Sequence, residues 1–489
     1  MNRRDFLRNA AIAGTATAVA CDTVRYDPKT PIENDLPYVT QDDDVLPGVA
    51  AYYATTCTAC ASACGMVARV KEGRAVFVSG NPDHPSGGSL CTRGHMVLLE
   101  AYSPDRFEGA MDGGQPTTWD AALAKVTEAV TAARSAGKSV AWLGRYRTGS
   151  TARLLDELGA GAGLRRLHWE PLGLETLLAA SRAVFGRDAL PSFELADAHT
   201  IVSFGMDFLA TSIDTLHYSA GWSKARDPQH GGFVARYVAI EPRVGATSSQ
   251  ADNFLAPAPG TEALVAMALA RLVHDKVKYT GPASALVAGV DVAAAAQASG
   301  LSPEKLEQVA GWIVEAPSVV LPGGHANATV DGTALAIAAL LVNEFAGNVG
   351  RSVVFGRELR PGPVASYADV KALLEEARAG NVGVLFIDGL DPVFNLPAAD
   401  KVGEALDAVG TLVHFLPEAN DSLRPKSIVL TTGSGLEEWG DAEIVNGAHS
   451  LQQPAMNPLK DTRGVGDVLL ALGKVLVPAA AAAPAAPAA

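Results

Sequence analysis

The sequence predicts an α/β protein in which a small β-hairpin module with clustered cysteines precedes a larger body of mainly parallel sheet. Three observations predict it. Hydrophobic residues make up 48% of the 489 positions and charged residues 19%, a balance that can bury a core. Past residue 110, short apolar runs alternate with amphipathic stretches at helical spacing, the pattern of strands covered on both faces. Between Gly65 and Gly80, apolar residues alternate on either side of Glu72-Gly73, the mark of a hairpin. At roughly 100–200 residues per domain, the length allows two to four domains.

In chain order, the first segment reads as an address. Met1-Asn2-Arg3-Arg4-Asp5-Phe6-Leu7-Arg8 precedes a small apolar stretch from Ala10 to Ala20, a charged n-region and an h-region of signal length. The Arg3-Arg4 pair fits twin-arginine export, so residues 1–21 are expected to be a signal peptide and the protein to reach the periplasmic side of the cytoplasmic membrane. Cys21 follows Ala18-Val19-Ala20, loosely a lipoprotein cleavage site; lipidation at Cys21 and plain cleavage nearby both fit. Residues 22–48, rich in Pro, Asp and Thr, read as an extended arm. Residues 478–489 are only alanine and proline, a composition that cannot bury a core and reads as a disordered tail.

In the body, Thr118 caps a helix that places Leu123, Val126, Val130 and Ala133 at helical spacing. Strands are expected at 139–143, 200–204, 237–240, 318–321, 382–387, 411–415 and 427–430. Several end in glycine or an acidic residue, and in such folds ligands sit beyond the carboxyl ends of the strands. No G-x-G-x-x-G fingerprint opens a βα turn, and neither a Walker motif nor a G-x-S-x-G elbow occurs, so nicotinamide, P-loop and hydrolase readings lack support. The formal charge is −14, which argues against nucleic acid as a partner. No apolar run reaches the ~18 residues of a membrane span.

Five cysteines are too few for a disulfide scaffold, yet four of them lie between positions 57 and 91. Cys57, Cys60 and Cys64 are spaced C-x2-C-x3-C, and Cys91 follows after the hairpin. A cubane iron–sulfur cluster needs four converging thiolates. Three on one loop and a fourth returned by Asn81-Pro82-Asp83 and Ser86-Gly87-Gly88 supply them. A zinc site, which favours paired C-x2-C knuckles or cysteines with histidines, and local disulfides formed after export are the alternatives.

Residues 52–119 resemble the N-terminal iron–sulfur domain of the molybdopterin (bis-guanine-dinucleotide) oxidoreductases. The matching residues are Cys57-Thr58-Ala59-Cys60-Ala61-Ser62-Ala63-Cys64-Gly65, Gly80-Asn81-Pro82-Asp83-His84-Pro85, Leu90-Cys91-Thr92-Arg93-Gly94, Tyr102-Ser103-Pro104-Asp105-Arg106 and Trp119-Asp120. The resemblance continues in order through Glu170-Pro171-Leu172, Phe204-Gly205-Met206-Asp207-Phe208, Glu241-Pro242-Arg243, Pro259-Gly260-Thr261-Glu262, Gly324-His325-Ala326, Gly347-Asn348-Val349-Gly350, Asp391-Pro392-Val393 and Glu437-Glu438-Trp439-Gly440-Asp441. It implies a [4Fe-4S] domain over 49–112, ligated by Cys57, Cys60, Cys64 and Cys91, and two interleaved αβα domains over 113–477. It also places Arg93 between cluster and pterin, as an electron relay or as a cation offsetting cluster charge. Asp207, Glu241 and Arg243 fall where relatives hold a pterin nucleotide.

Two departures from the pattern shape the expectation. Catalytic relatives hold molybdenum or tungsten through Cys, selenocysteine, Ser or Asp, whereas no cysteine follows Cys91, and His168 in Leu167-His168-Trp169-Glu170-Pro171 reads as a polar loop residue. The family's cofactor-closing C-terminal domain is expected to be absent, because residues 465–476 run almost directly into the tail. Molybdopterin is therefore not expected. The resemblance then points to the molybdenum-free, molybdopterin-like subunit of alternative complex III and related quinone reductases. Its partners would be a multi-cluster ferredoxin-like subunit, a multi-haem cytochrome and a polytopic quinol-binding membrane subunit. The alternatives are a true molybdenum enzyme acting on a small sulfur or oxygen acceptor such as polysulfide or thiosulfate, and a purely structural scaffold.

Overall fold

The computed structural model describes residues 48–60, 62–171, 174–324, 329–357 and 364–477. The expected signal peptide with Cys21, the arm up to residue 47, His325-Ala326 and the Ala/Pro tail lie outside the described residues.

Strands β1 (Ala51–Thr56), β2 (Gly65–Lys71) and β3 (Arg74–Gly80) form an antiparallel sheet in that order. Glu72 and Gly73 both take positive φ (51° and 74°), the geometry of a tight two-residue hairpin turn. The inward side chains Met66, Ala68, Val70, Ala75 and Val78 pack on Val97 and Ala101 of the helix Thr92–Ala101. Leu436, Ala455 and Met456 close the same small core from far along the chain. Strand β1, absent from the sequence reading, pairs Thr56 with Gly65, so the loop 57–64 is the tip of a second hairpin.

Next come β4 (Met111–Asp112), β5 (Gln115–Pro116), β6 (Ser139–Gly144) and β7 (Leu164–His168). They join β14 (Val382–Asp388), β15 (Thr411–Leu416) and β16 (Ile428–Thr431) in a seven-stranded sheet of order β5-β4-β16-β15-β14-β6-β7. All its pairings are parallel except those of the short edge strands β4 and β5. Alternation along β6 sorts its side chains: Val140 and Trp142 face one layer, Ala141 and Leu143 the other. Helices Trp119–Ser135, Gly149–Ala162 and Val465–Leu476 cover the first face; Tyr367–Arg378 and Val402–Ala408 cover the second. Thr118 is the expected cap, its hydroxyl accepting from Ala121 N–H at 3.3 Å.

Between β7 and β14 the chain builds β8 (Ser192–Phe193), β9 (Thr200–Ser203), β10 (Arg236–Ile240), β11 (Asn253–Leu255), β12 (Ser318–Leu321) and β13 (Val353–Val354). Four of these form a parallel sheet of order β11-β10-β9-β12, and β8 pairs antiparallel with β13. Helices Glu262–Val277 and Pro303–Glu315 pack on one face of the four-stranded sheet. Helices Leu174–Phe185 and Thr215–Ala225 pack on the other. After β16, the hairpin β17 (Gly440–Val445) and β18 (Ala448–Gln452) returns toward β1. Among the described residues no helix is long and apolar enough to cross a membrane.

Candidate iron–sulfur centre and adjoining crevice

The cysteine loop closes on itself. Cys57 N–H, just past β1, donates to the Cys64 carbonyl at 2.8 Å, and Ala63 N–H donates to the Cys60 carbonyl at 3.3 Å. Ala63 takes a positive φ of 45°, which turns the chain sharply enough to place Cys64 beside Cys57. Cys91 is the cap residue of the helix Thr92–Ala101 and makes no side-chain capping bond, so its thiol sits at a helix N-terminus, where negative charge is favoured. All four thiols are free; Cys57 and Cys64 are buried and Cys60 and Cys91 half-buried.

Burial pushes the Cys57 thiol up to about 12; a backbone hydrogen bond from Ala59 opposes this, and Cys60 and Cys91 add to it. Cys64 is pushed up as well, by burial first and then by Cys60 and Cys57. Thiolates enclosed in this way on one closed loop need a cation to hold their charge. Among the described residues no three His, Cys, Asp or Glu side chains gather tightly enough to hold a single metal ion. A cubane takes one thiolate at each of four irons, so its ligands stand apart; the donor set suits iron–sulfur better than zinc.

Neighbouring elements fix the loop. His84 Nδ1 accepts from Gly65 N–H at 3.0 Å, and its Nε2 lies 3.1 Å from Ser450 Oγ, which is 2.6 Å from Thr56 Oγ1. Burial holds His84 below its ordinary value and so neutral, able to accept at one nitrogen. A Cβ on Gly65 would lie 2.2 Å from His84 Cγ, so only glycine admits the ring. On the other side, Arg145 Nη1 donates to the Thr58 carbonyl at 2.9 Å, and Ser62 Oγ donates to the Ile213 carbonyl.

A charged crevice opens beyond the carboxyl ends of β6, β7 and β14, where Gly144 is level with both His168 and Asp388. Arg147 grips Asp388 with two nitrogens, Nη2 to Oδ1 at 2.7 Å and Nε to Oδ2. Glu438 reaches in from the segment before β17. Burial pushes its carboxyl up to about 7 against the pull of Arg147 and Arg145, and its Oε2 has no hydrogen-bond partner among the described residues. A recess of ≈ 370 Å³ lies between Cys57, Cys60 and Arg93 on one side and Arg145 and Glu438 on the other.

Of the expected site residues, Cys57, Cys60 and Arg93 line the recess together, Arg93 half-buried in the first turn of its helix; Cys64 closes the loop against Cys57, and Cys91 caps the helix that bears Arg93. Asp207 and Glu241 lie just beyond the ends of β9 and β10. The Asp207 carboxylate accepts from Thr211 Oγ1 at 2.9 Å and from Thr247 Oγ1, while Arg243 is exposed. His168 corrects the sequence reading: it is the buried last residue of β7, not a loop residue. Its strand Leu-Arg-Arg-Leu-His lacks an apolar run, so no strand signal marked it. Arg145, Arg147 and Asp388 were missed, although each lies within four residues of the end of an expected strand, the place where such folds put functional groups.

Residues 50–103 match the molybdopterin oxidoreductase Fe4S4 domain. The chain is 25% identical over 469 residues to the menaquinone reductase, molybdopterin-binding-like subunit of Nitratidesulfovibrio vulgaris, covering 88% of this chain and 65% of that one. It is 26% identical over 289 residues to the arsenate respiratory reductase molybdopterin-containing subunit of a Shewanella species, covering 56% and 33%. Against the NADPH-Fe(3+) oxidoreductase subunit alpha of Geobacter sulfurreducens it is 22% identical, covering 86% and 55%. The chain thus spans one third to two thirds of the length of these relatives. Among solved structures, acetylene hydratase from Pelobacter acetylenicus shares the fold, with a TM-score of 0.68 at 13% identity over 86% of this chain and 69% of the other. Residues 50–103 thus form a domain of the Fe4S4 type, and the longer chain is similar to subunits of molybdopterin oxidoreductases.

Proposed function

We propose that this chain is an electron-transfer subunit of an exported, membrane-associated, quinol-linked respiratory complex of the alternative complex III type. In this reading it holds one [4Fe-4S] cluster and no molybdenum. The observation that carries the reading is the closed loop that bears Cys57, Cys60 and Cys64, with Cys91 at the head of the helix whose Arg93 lines the same recess as Cys57 and Cys60. A bound cluster supplies one-electron transfer. The chain's own residues hold it: the helix N-terminus at Cys91 favours thiolate, and His84 and Arg145 fix the loop from opposite sides. Arg93 places a cation beside the cluster loop, where it offsets negative charge or lies on the electron route.

The crevice suits a pterin dinucleotide poorly. Arg147 is committed to Asp388, the chain has no cysteine past Cys91, and the loop after β7 offers Trp169-Glu170 where relatives bear a metal ligand. The partners in this reading are a multi-cluster ferredoxin-like subunit, a multi-haem cytochrome and a polytopic quinol-binding subunit. Export follows from Arg3-Arg4, and lipidation at Cys21 would tether the protein at the periplasmic face. A second reading, a molybdenum enzyme for a small sulfur or oxygen acceptor, draws on the crevice at the strand ends and on relatives named as molybdopterin-containing.

Elemental analysis of anaerobically purified protein tests the proposal. Iron and acid-labile sulfide near about four each per chain are expected, with molybdenum and tungsten far below one. Stoichiometric molybdenum would establish the second reading, and iron-free protein in an intact complex would leave only a scaffold.

A further inference from the structure

The head of the helix Gly149–Ala162 is shaped to receive an anion, and it already holds one. The first N–H groups of a helix have no partner within it, and the helix dipole makes that end positive. Thr148, the cap residue, makes no capping bond to the helix; its hydroxyl accepts instead from Glu443 N–H at 2.8 Å. The helix is capped from β17. Ser150 N–H donates to both oxygens of Asp441, at 2.9 and 3.0 Å, and Ser150 Oγ donates to Oδ2 at 3.1 Å. Gly149, at φ +66°, permits the approach: a Cβ there would lie 2.6 Å from Asp441 Oδ2.

This contact borders a recess of ≈ 390 Å³ that Arg147, Arg153, Arg166 and His168 also line. His168 is 3% exposed, and its Nε2 has no hydrogen-bond partner among the described residues. Asp156 and Glu443 line the recess too, Arg166 pairing with Asp156 at 2.8 Å and Arg147 with Asp388. The unpartnered His168 nitrogen at this wall is thus a second sign of a polar ligand position, independent of the helix head. The helix follows β6 and the recess lies at the carboxyl ends of β6 and β7, where an α/β fold places the phosphates of a bound nucleotide.

We propose that Asp441 is the chain's own occupant of a phosphate position, and that the β17–β18 hairpin closes the recess to phosphate-bearing ligands by seating it there. A phosphate reaching Ser150 N–H would meet a carboxylate already bonded to the same hydrogen, and two anions cannot share that donor. The seat is held beyond Asp441 itself. Gln452 Nε2 donates to the Gly435 and Glu438 carbonyls at 3.3 and 3.2 Å, and Thr56 Oγ1 donates to the Leu451 carbonyl at 2.9 Å. The inference rests on the pterin-free reading above and supplies its physical cause: the place is taken.

The test uses full-length, iron-loaded protein with inorganic pyrophosphate as probe, followed by titration calorimetry and ³¹P line broadening. Wild type is expected to show no saturable binding at millimolar pyrophosphate. Asp441→Ala is expected to bind at least about tenfold more tightly, and a double variant with Arg166→Ala to lose most of that gain. Asp441→Asn, which keeps the shape but not the charge, should fall between. Circular dichroism and iron content establish that each variant is folded. Wild type that binds as well as Asp441→Ala, or a folded Asp441→Ala that binds no better than wild type, overturns the proposal while the pterin-free reading stands. Guanine nucleotide released from acid-treated wild type overturns both.

Discussion

His414 stands in the middle of β15, level with Ile387 of β14 and Val429 of β16, and is fully enclosed. Neither ring nitrogen has a hydrogen-bond partner among the described residues. Burial holds the ring down to about 4, Arg424 pushes the same way and Asp391 opposes. The fold therefore keeps a neutral imidazole, while the unfolded chain takes up a proton near pH 6.5. Stability tied to this group is fully present above pH 6.5 and is lost as pH falls from there toward 4. His168, also held down to about 4 by burial, acts in the same window and with the same sign. His414→Leu should flatten the decline between pH 6.5 and 4 and stabilise the protein at pH 5 by roughly 1–3 kcal/mol, because it removes two unpaired nitrogens. Thermal unfolding at pH 5 and 7.5 checks this; an unchanged pH slope would show that the ring finds a partner in solution. Single residues were legible where their chemistry is local. The cysteines declare themselves by spacing, whereas the burial of His168 and His414 is set by strands brought from distant parts of the chain.

The element that matters most to the cluster is the pair of hairpins sharing β2. Its second turn was legible because Glu72-Gly73 interrupts a clean alternation. β1 was not, because Ala-Tyr-Tyr-Ala-Thr-Thr alternates poorly, with Tyr52 and Tyr53 both exposed and Thr55 and Thr56 both buried. β17 and β18 were equally hidden, their sequences being polar and only half-buried. Where β2 begins, Gly65 lies under the His84 ring, and an added methyl must push the ring away and break its bond to Gly65 N–H. Gly65→Ala is expected to lower cluster iron to less than about half of wild type while sparing the parallel sheets, since neighbours that orient metal ligands govern affinity by 10–100-fold. Iron per chain and visible absorbance read the outcome, and full iron occupancy would mean that the loop adapts without His84.

At the scale of the molecule, one buried ion pair joins the cluster module to the segment after β16. Arg106 Nη1 and Nη2 reach Glu437 Oε1 and Oε2 at 3.1 and 2.6 Å, with both side chains essentially inaccessible. Glu437 also accepts from Ser434 and Leu459 N–H groups, at 2.7 and 2.8 Å, so it cannot turn outward to water. Arg106→Met should therefore cost about 3–5 kcal/mol, because it strands a buried carboxylate. Adding Glu437→Gln should recover part of the loss. A single variant that melts within a degree of wild type would mean that water reaches the pair. Both partners lie in stretches that carry the family resemblance, but no local pattern says that they meet. Most strands of the parallel sheets were legible as apolar runs; their order in the sheets was not, because parallel neighbours need not be consecutive. That order governs the chain's birth. β6 and β14 lie side by side, yet Gly144 and its neighbour Asp388 are 388 − 144 = 244 positions apart. At synthesis speeds of 5–20 residues per second, β6 waits on the order of 10–50 s for its partner, with Trp142 and Leu143 uncovered meanwhile. The nascent chain thus has a built-in interval in which an apolar strand, paired with β7 along one edge, stays open along the other.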